Sequence, residues 1–283
     1  MDKLNYTIWC TYHDKELIDK YNLKETTHFK LYYTKDDFKD QISLNYVQNF
    51  LNEYTTQYYV WKNNLKTDLI GFCHYRRNIL PYINNDVLYH IMNYSQYKTF
   101  ITIPMHQLFK NNYSYNFNET TILLDYKLFG LELHYDLILD YLKENYSSYV
   151  YNRSIELLNS SYARQNFGEI YICKWDVFNK LMLFVDGYVK YLFIKLCNLP
   201  KKELYEYSYD EYDKLCYYLN NENFYIRSKF IDELQKNNIV IENLQFAGYP
   251  RCIGFIIESL IGSFWNIFMN GNSYNNVLTQ NIS

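Results

Sequence analysis

The stretch Leu69-Ile70-Gly71-Phe72-Cys73-His74-Tyr75-Arg76-Arg77 changes character halfway along. Its first five residues carry no charge and no strong hydrogen-bonding side chain. A short apolar run of this kind, entered from the turn Asn63-Asn64-Leu65-Lys66, reads as a buried strand. The run then ends in an imidazole, a phenol and two guanidinium groups. In open α/β sheets ligands collect beyond the carboxyl ends of strands. Adjacent arginines at such an edge can grip a phosphate or carboxylate through bidentate hydrogen bonds. The plainer alternative is that they are solvated or paired with acidic neighbours.

Working outward, the upstream segment places Tyr46, Phe50, Tyr54, Tyr58 and Trp61 at steps of four and three, which predicts one long helix over Asn45 to Lys62. Tyr6 to Thr11 and His28 to Tyr33 read as strands with a short helix, Asp14 to Tyr21, between them, a βαβ opening. Downstream, Phe100 to Ile103 is a further strand. The polar and aromatic stretch Asn111 to Thr121 is the best candidate for a mobile loop or lid. Helical spacing dominates after Tyr126: Leu131 to Leu142, the segment after Ser154, Val177 to Leu196, Asp210 to Leu219, Phe224 to Leu234 and Ile253 to Phe268. Glu169 to Lys174 is one more strand. The pattern predicts an α/β fold, a parallel-type sheet with flanking helices and a helical C-terminal half. We expect a single domain over 1–268, its α/β part about 1–125 and its helical part about 126–268, followed by a flexible tail over 269–283.

Composition narrows the function classes. Of 283 residues, 48% are hydrophobic and 20% aromatic, which excludes bulk disorder. Charge is balanced, 28 Lys+Arg against 31 Asp+Glu for a net −3, so no broad basic face for nucleic acid is expected. The six cysteines stand singly with no C-x-x-C spacing, as free buried thiols of a reducing compartment do. The first residues lack the apolar core of a signal peptide, so the expected location is cytoplasmic. The apolar stretch Cys252 to Met269 contains Glu258 and is short for a membrane span; an interfacial helix, and with it peripheral membrane association, stays open. The 35 tyrosines follow the Tyr-, Asn-, Lys- and Ile-heavy usage that A+T-rich codons favour, whether of a bacterium or a large DNA virus, and are no evidence for carbohydrate by themselves.

Several side chains could carry chemistry. Glu53, just upstream of the strand, either pairs with an arginine, binds a sugar hydroxyl, or faces water. Thr11-Tyr12-His13-Asp14 ends the first strand, where nucleotide-binding α/β folds receive base or ribose, although Asp14 serves equally well as a helix cap. Gly254, Glu258 and Gly262 fall at i, i+4 and i+8, which places a carboxylate between two residues without side chains. Glu258 is therefore a candidate general base, or else a buried structural partner of Arg251. His134 is a candidate ligand contact or a hydrogen-bonded core histidine. The chain lacks G-x-G-x-x-G, G-x-x-x-x-G-K, H-E-x-x-H and G-x-S-x-G, so dinucleotide, P-loop, zincin and α/β-hydrolase chemistry lose their usual signatures. No two aspartates stand two apart, so a D-x-D motif for a metal–diphosphate site is missing.

Taken together, Asn52-Glu53, Tyr59-Val60-Trp61-Lys62-Asn63 and Asp68 to Arg77 resemble the hallmark block of a bacterial family of capsular or exopolysaccharide-synthesis glycosyltransferases, long catalogued as a domain of unknown function. The similarity extends through Thr11-Tyr12-His13-Asp14, His134-Tyr135-Asp136-Leu137, Ile170 to Phe178 and Arg251-Cys252-Ile253-Gly254-Phe255-Ile256-Ile257-Glu258-Ser259-Leu260, and covers residues 4–268. The chain departs from the family at Glu169-Ile170, where Asn-Met is usual, and at Ser259, where Arg is usual. The resemblance implies a GT-A-like fold and transfer of a sugar from a nucleotide-sugar donor, UDP-sugar being the implied class, to a glycan or lipid-linked glycan acceptor. It implies catalytic roles among Glu258, Glu53 and His74. Donor or diphosphate contacts are implied for Thr11, Tyr12, His13, Tyr75, Arg76, Arg77, Trp61, Lys62 and Asn63, and acceptor or structural roles for His134, Glu169 and Arg251. No resident cofactor is implied, and a divalent metal stays open. With D-x-D missing, Arg76 and Arg77 are expected to supply the positive charge on the departing diphosphate. A binding module that kept the fold without the chemistry, or a scaffold of a glycan-assembly complex, are the competing expectations.

Overall fold

A computed structural model of the chain describes residues 4–36, 38, 40–76, 83–93, 103–104, 132–158, 166–167, 170–221 and 250–269. A four-stranded sheet in the order β2-β1-β3-β6 organises them. Strands β1 (Tyr6–Tyr12), β2 (Phe29–Tyr33) and β3 (Leu69–His74) run parallel, with Ile8 opposite both Phe29 and Gly71 and Thr11 opposite His74. The edge strand β6 (Tyr171–Lys174) is antiparallel to β3, Gly71 facing Ile172. The N-terminal α/β part is therefore completed by a strand from the helical half. A separate small pairing joins β4 (Ile103–Pro104) to β5 (Asn166–Phe167).

The pleat sends alternate residues to opposite faces, and helices cover both. Ile8, Cys10, Tyr12 and Cys73 face α1 (Glu16–Lys20), whose Leu17 and Ile18 pack on them, while Leu69 and Ile172 face α4 (Asn85–Asn93) through Leu88 and Ile91. On the other face Ile70, Phe72, Tyr171 and Cys173 meet α3 (Tyr54–Lys62) and α7 (Trp175–Cys197). Phe72 lies 5.1 Å from Phe178, ring to ring. Beyond these lie α5 (Glu132–Asn145), α6 (Ser148–Leu158), α8 over 209–221 and α9 (Cys252–Met269). The apolar stripe of α9, including Ile253, Ile257, Leu260, Phe264 and Trp265, is buried in the core against α2 (Gln48–Leu51), α6 and α7. Among the described residues no helix is long and apolar enough to cross a membrane.

Gly71 earns its place by close approach. A Cβ there would stand 3.2 Å from both Ile8 Cγ1 and the Tyr171 carbonyl oxygen, with strands on either side. All six cysteines are buried and none is in a disulfide. One expectation is corrected: the segment 45–62 is not one helix. It consists of a 3-10 turn (Asn45–Val47), α2 and α3, separated at Asn52-Glu53, where Asn52 takes φ 51°. With ψ at −130° this is the type II′ turn conformation, which glycine, asparagine and aspartate dominate, so a break forms there although the apolar spacing continues across it. The strand expected over 100–103 is described only as Ile103–Pro104. The loop 111–121, the helix 224–234 and the tail beyond 269 lie outside the described residues.

Candidate active site

Three parallel strands and one helix break converge on a cavity of about 460 Å³. Its floor is the carboxyl edge of the sheet: Thr11, Tyr12 and His13 at the end of β1, Thr34 after β2, and His74, Tyr75 and Arg76 at the end of β3. One wall is the α2–α3 break, with Gln48, Asn49, Asn52 and Glu53; Pro250 and Arg251, leading into α9, form another. At the end of β3 the His74 and Tyr75 rings lie against each other, 3.8 Å between centroids, and reach different partners. His74 points toward α3 and Glu53, while Tyr75 turns to the α1 side, within ring contact of Tyr21 at 5.3 Å and His13 at 5.4 Å.

The His74 ring is held at both nitrogens. The Arg76 backbone N–H donates to Nδ1 at 3.3 Å, and Nε2 lies 3.2 Å from Glu53 Oε1. An Nδ1 that accepts leaves the proton on Nε2, so neutral His74 donates to the Glu53 carboxylate. Glu53 sits at the N-terminus of α3, where the helix dipole favours negative charge. Arg76 is exposed, and its guanidinium lies 5.4 Å from the Tyr75 ring centroid. It has no ion pair among the described residues. The Thr11 hydroxyl is bonded to that of Thr56 at 2.6 Å, which ties β1 to α3 behind the cavity. Burial, reinforced by the Asp36 carboxylate, raises the Tyr12 phenol, which stays protonated. The buried Thr34 hydroxyl has no hydrogen-bond partner among the described residues.

The expected site residues divide. Thr11, Tyr12, His13, Glu53, His74, Tyr75, Arg76 and Arg251 come together; Trp61, Lys62 and Asn63 do not. Those three close the far end of α3, where the Trp61 indole donates to Asn179 Oδ1 at 2.8 Å, Lys62 pairs with Glu203 at 2.7 Å and Asn63 bonds to the Ile42 backbone. Glu258 lies further along α9, half-buried and off the cavity wall. His134 is fully buried between α5 and α7, its Nδ1 2.6 Å from the Tyr188 hydroxyl, which fits the structural reading. Arg251 meets Asn52 at 3.2 Å rather than Glu258. Arg77 and Glu169 lie outside the described residues. Thr34, Gln48, Asn49 and Asn52 were not expected; for Thr34 the strand-end rule that singled out Thr11 applies equally to β2.

The family described as "Domain of unknown function (DUF4422)" matches residues 19–222, most of the chain. The chain belongs to the DUF4422 family. That match takes in β2, β3 and the α2–α3 break, and so includes most of the cavity of this DUF4422 protein but neither β1 nor Arg251. No curated protein matches the chain. Among solved structures, the apo form of the bifunctional glycosyltransferase WbbM is similar, at 15% identity and a TM-score of 0.41, over 86% of this chain and 44% of that one. The DUF4422 chain thus spans less than half the length of that structure.

Among the described residues no three His, Cys, Asp or Glu side chains are grouped to hold a metal ion. Among the described residues that line the cavity Glu53 is the sole carboxylate, and these residues do not fit a divalent-metal site.

Proposed function

We propose that the cavity receives a nucleotide-sugar donor in a GT-A-like manner, UDP-sugar first among the classes, and that the protein transfers the sugar to a hydroxyl of a glycan or lipid-linked glycan acceptor in capsule, exopolysaccharide or surface-glycan synthesis. One observation carries this reading: Arg76 and Glu53 border a single cavity at the carboxyl ends of three parallel strands. A cation and a carboxylate so placed suit a reaction that expels a diphosphate while a hydroxyl loses its proton. The bond from the anomeric carbon to the diphosphate oxygen breaks, the acceptor oxygen bonds to that carbon, and its proton passes to Glu53. Charge developing on the departing diphosphate is met by the fixed guanidinium of Arg76, with Arg77 as its sequence neighbour. His74, both of whose nitrogens are engaged, acts as a positioning residue that fixes the Glu53 carboxylate.

The test is a thermal-shift screen against nucleoside diphosphates and their sugars, followed by transfer assays with the donor that binds. A bound donor raises the melting temperature as its concentration exceeds Kd. No shift with any of them rejects the reading. Binding without hydrolysis or transfer to any glycan assigns the cavity to a non-catalytic module instead. Activity abolished by EDTA and restored by Mn²⁺ would reject the arginine role.

A further inference from the structure

Two backbone peculiarities meet at one side chain. Asn52 holds a positive φ at the α2–α3 break, and Gly254, in the first turn of α9, is the position where any Cβ would overlap the Asn52 amide group. The two segments come this close with one polar result: Arg251 Nε donates to Asn52 Oδ1 at 3.2 Å. The guanidinium of Arg251, an exposed residue, also lies over the Phe255 ring, its central carbon 5.5 Å from the ring centroid. A guanidinium held at Nε and at one face keeps its two terminal nitrogens on the remaining edge, the edge that forms paired hydrogen bonds to an oxyanion. Arg251 has no ion pair among the described residues, and it borders the same cavity as Arg76, from another wall.

We infer that Arg251 is the second arm of a diphosphate grip whose first arm is Arg76, and that Asn52 is the positioning residue that aims it, in space that only glycine at 254 leaves open. Arg76 rises from the end of β3 and Arg251 from the start of α9, so an anion between them is held from the sheet and from the helical half at once. A ligand bearing two linked phosphates offers each arginine its own oxyanion. The inference rests on the donor-site reading above and deepens it. It also gives a physical reason for the spacing of Arg251, Gly254 and Asn52-Glu53: the glycine admits the asparagine that orients the arginine.

The experiment is calorimetric titration of the full chain with inorganic pyrophosphate, UDP and uridine, at low and moderate NaCl. Pyrophosphate and UDP should bind the unsubstituted protein. Loss of a charge-assisted contact in Arg251→Gln should weaken pyrophosphate about tenfold or more and make its binding less salt-dependent, with uridine affinity unchanged. Asn52→Gly keeps a residue at ease with positive φ while removing the amide, and should weaken pyrophosphate severalfold without lowering the melting temperature. Gly254→Ala should lower both affinity and melting temperature. Adding Asn52→Gly to it should recover the melting temperature and leave affinity no lower than in Asn52→Gly alone. Pyrophosphate affinity that falls in Arg76→Ala but is unchanged in Arg251→Gln and Asn52→Gly overturns the inference and leaves the donor-site reading intact. A parallel loss of uridine affinity in Arg251→Gln overturns it too. Failure of the unsubstituted protein to bind pyrophosphate or UDP overturns both.

Discussion

His74 Nε2 stands 3.2 Å from Glu53 Oε1 while His74 Nδ1 accepts the Arg76 backbone N–H at 3.3 Å. One neutral ring therefore links the acidic and the cationic sides of the cavity. With its own nitrogens occupied, its part in the proposed reaction is to orient Glu53 and to exchange no proton. Glu53→Gln should accordingly cut sugar transfer by about 10²- to 10⁴-fold, the range for loss of a general base, with donor affinity nearly unchanged. His74→Ala should also slow transfer, and His74→Gln, whose amide can donate from the place of Nε2, should recover part of the loss. Equal effects of the two His74 substitutions would remove the positioning role.

The inner strand β3 is tightly flanked at residue 71, so that an added methyl group would have to displace its neighbours. Gly71→Ala places a Cβ 3.2 Å from the Tyr171 carbonyl oxygen, which belongs to a paired backbone and cannot swing aside as a side-chain end could. Overpacking of this kind costs about 1–3 kcal/mol. Urea unfolding should show a lower midpoint by a corresponding amount with an unchanged slope.

His134 makes stability depend on pH through burial alone. Its surroundings exclude water, and desolvation lowers its pKa from 6.5 to about 3, so the folded protein keeps it neutral. Between those values the unfolded chain takes up a proton that the folded chain refuses. Stability is therefore full above pH 6.5 and falls as pH drops toward 3, by about 1.4 kcal/mol per unit from this group. His134→Asn does not titrate and can still bond to Tyr188. Between pH 7 and pH 5 it should lose roughly 2 kcal/mol less than the unsubstituted protein, measured by urea unfolding at each pH.

A charge cluster, buried at Asp186 and Lys190 and partly exposed at Glu203 and Lys62, ties α3 and α7 to the residue that caps the 3-10 turn Leu204–Glu206. Lys190 contacts Asp186 at 2.7 Å and Glu203 at 2.9 Å, and Glu203 in turn contacts Lys62. Burial raises the Asp186 carboxyl, opposed by the hydrogen bond from Lys190. Lys190→Met would leave that carboxylate buried and uncompensated, a loss of about 3–5 kcal/mol. Asp186→Asn in the same chain should recover a large part. Chemical denaturation of the single and double variants gives the comparison.

The parts of this fold that could be read in advance are those where one physical rule acts locally. β1 and β3 declare themselves through short apolar and aromatic runs, β2 through alternation of Phe29, Leu31 and Tyr33 with His28, Lys30 and Tyr32, and α9 through its continuous stripe. The strand-end rule then brings Thr11, Tyr12, His13, His74, Tyr75 and Arg76 to one edge without further information. Two kinds of feature escape such reading. Helical spacing runs unbroken from Tyr46 to Trp61, so nothing in it announces that Asn52 turns the backbone to positive φ. Neighbourhood in sequence also misleads: Trp61, Lys62 and Asn63 share a block with Glu53, yet eight residues of helix rise about 12 Å and take them to the other end of the sheet. Asn52 and Arg251 meet across 199 positions, a separation at which spacing carries no signal.

The wall formed by Pro250 and Arg251 has a temporal meaning. The ribosome delivers β1, β2, Glu53 and β3 by residue 74, but the edge strand β6 arrives about a hundred residues later and Arg251 later still. A nascent polypeptide thus carries the floor of the cavity and its carboxylate long before it carries the second arginine. The molecule cannot acquire its complete cavity piecemeal; that waits on the emergence of Pro250 and Arg251, the residues that lead into α9.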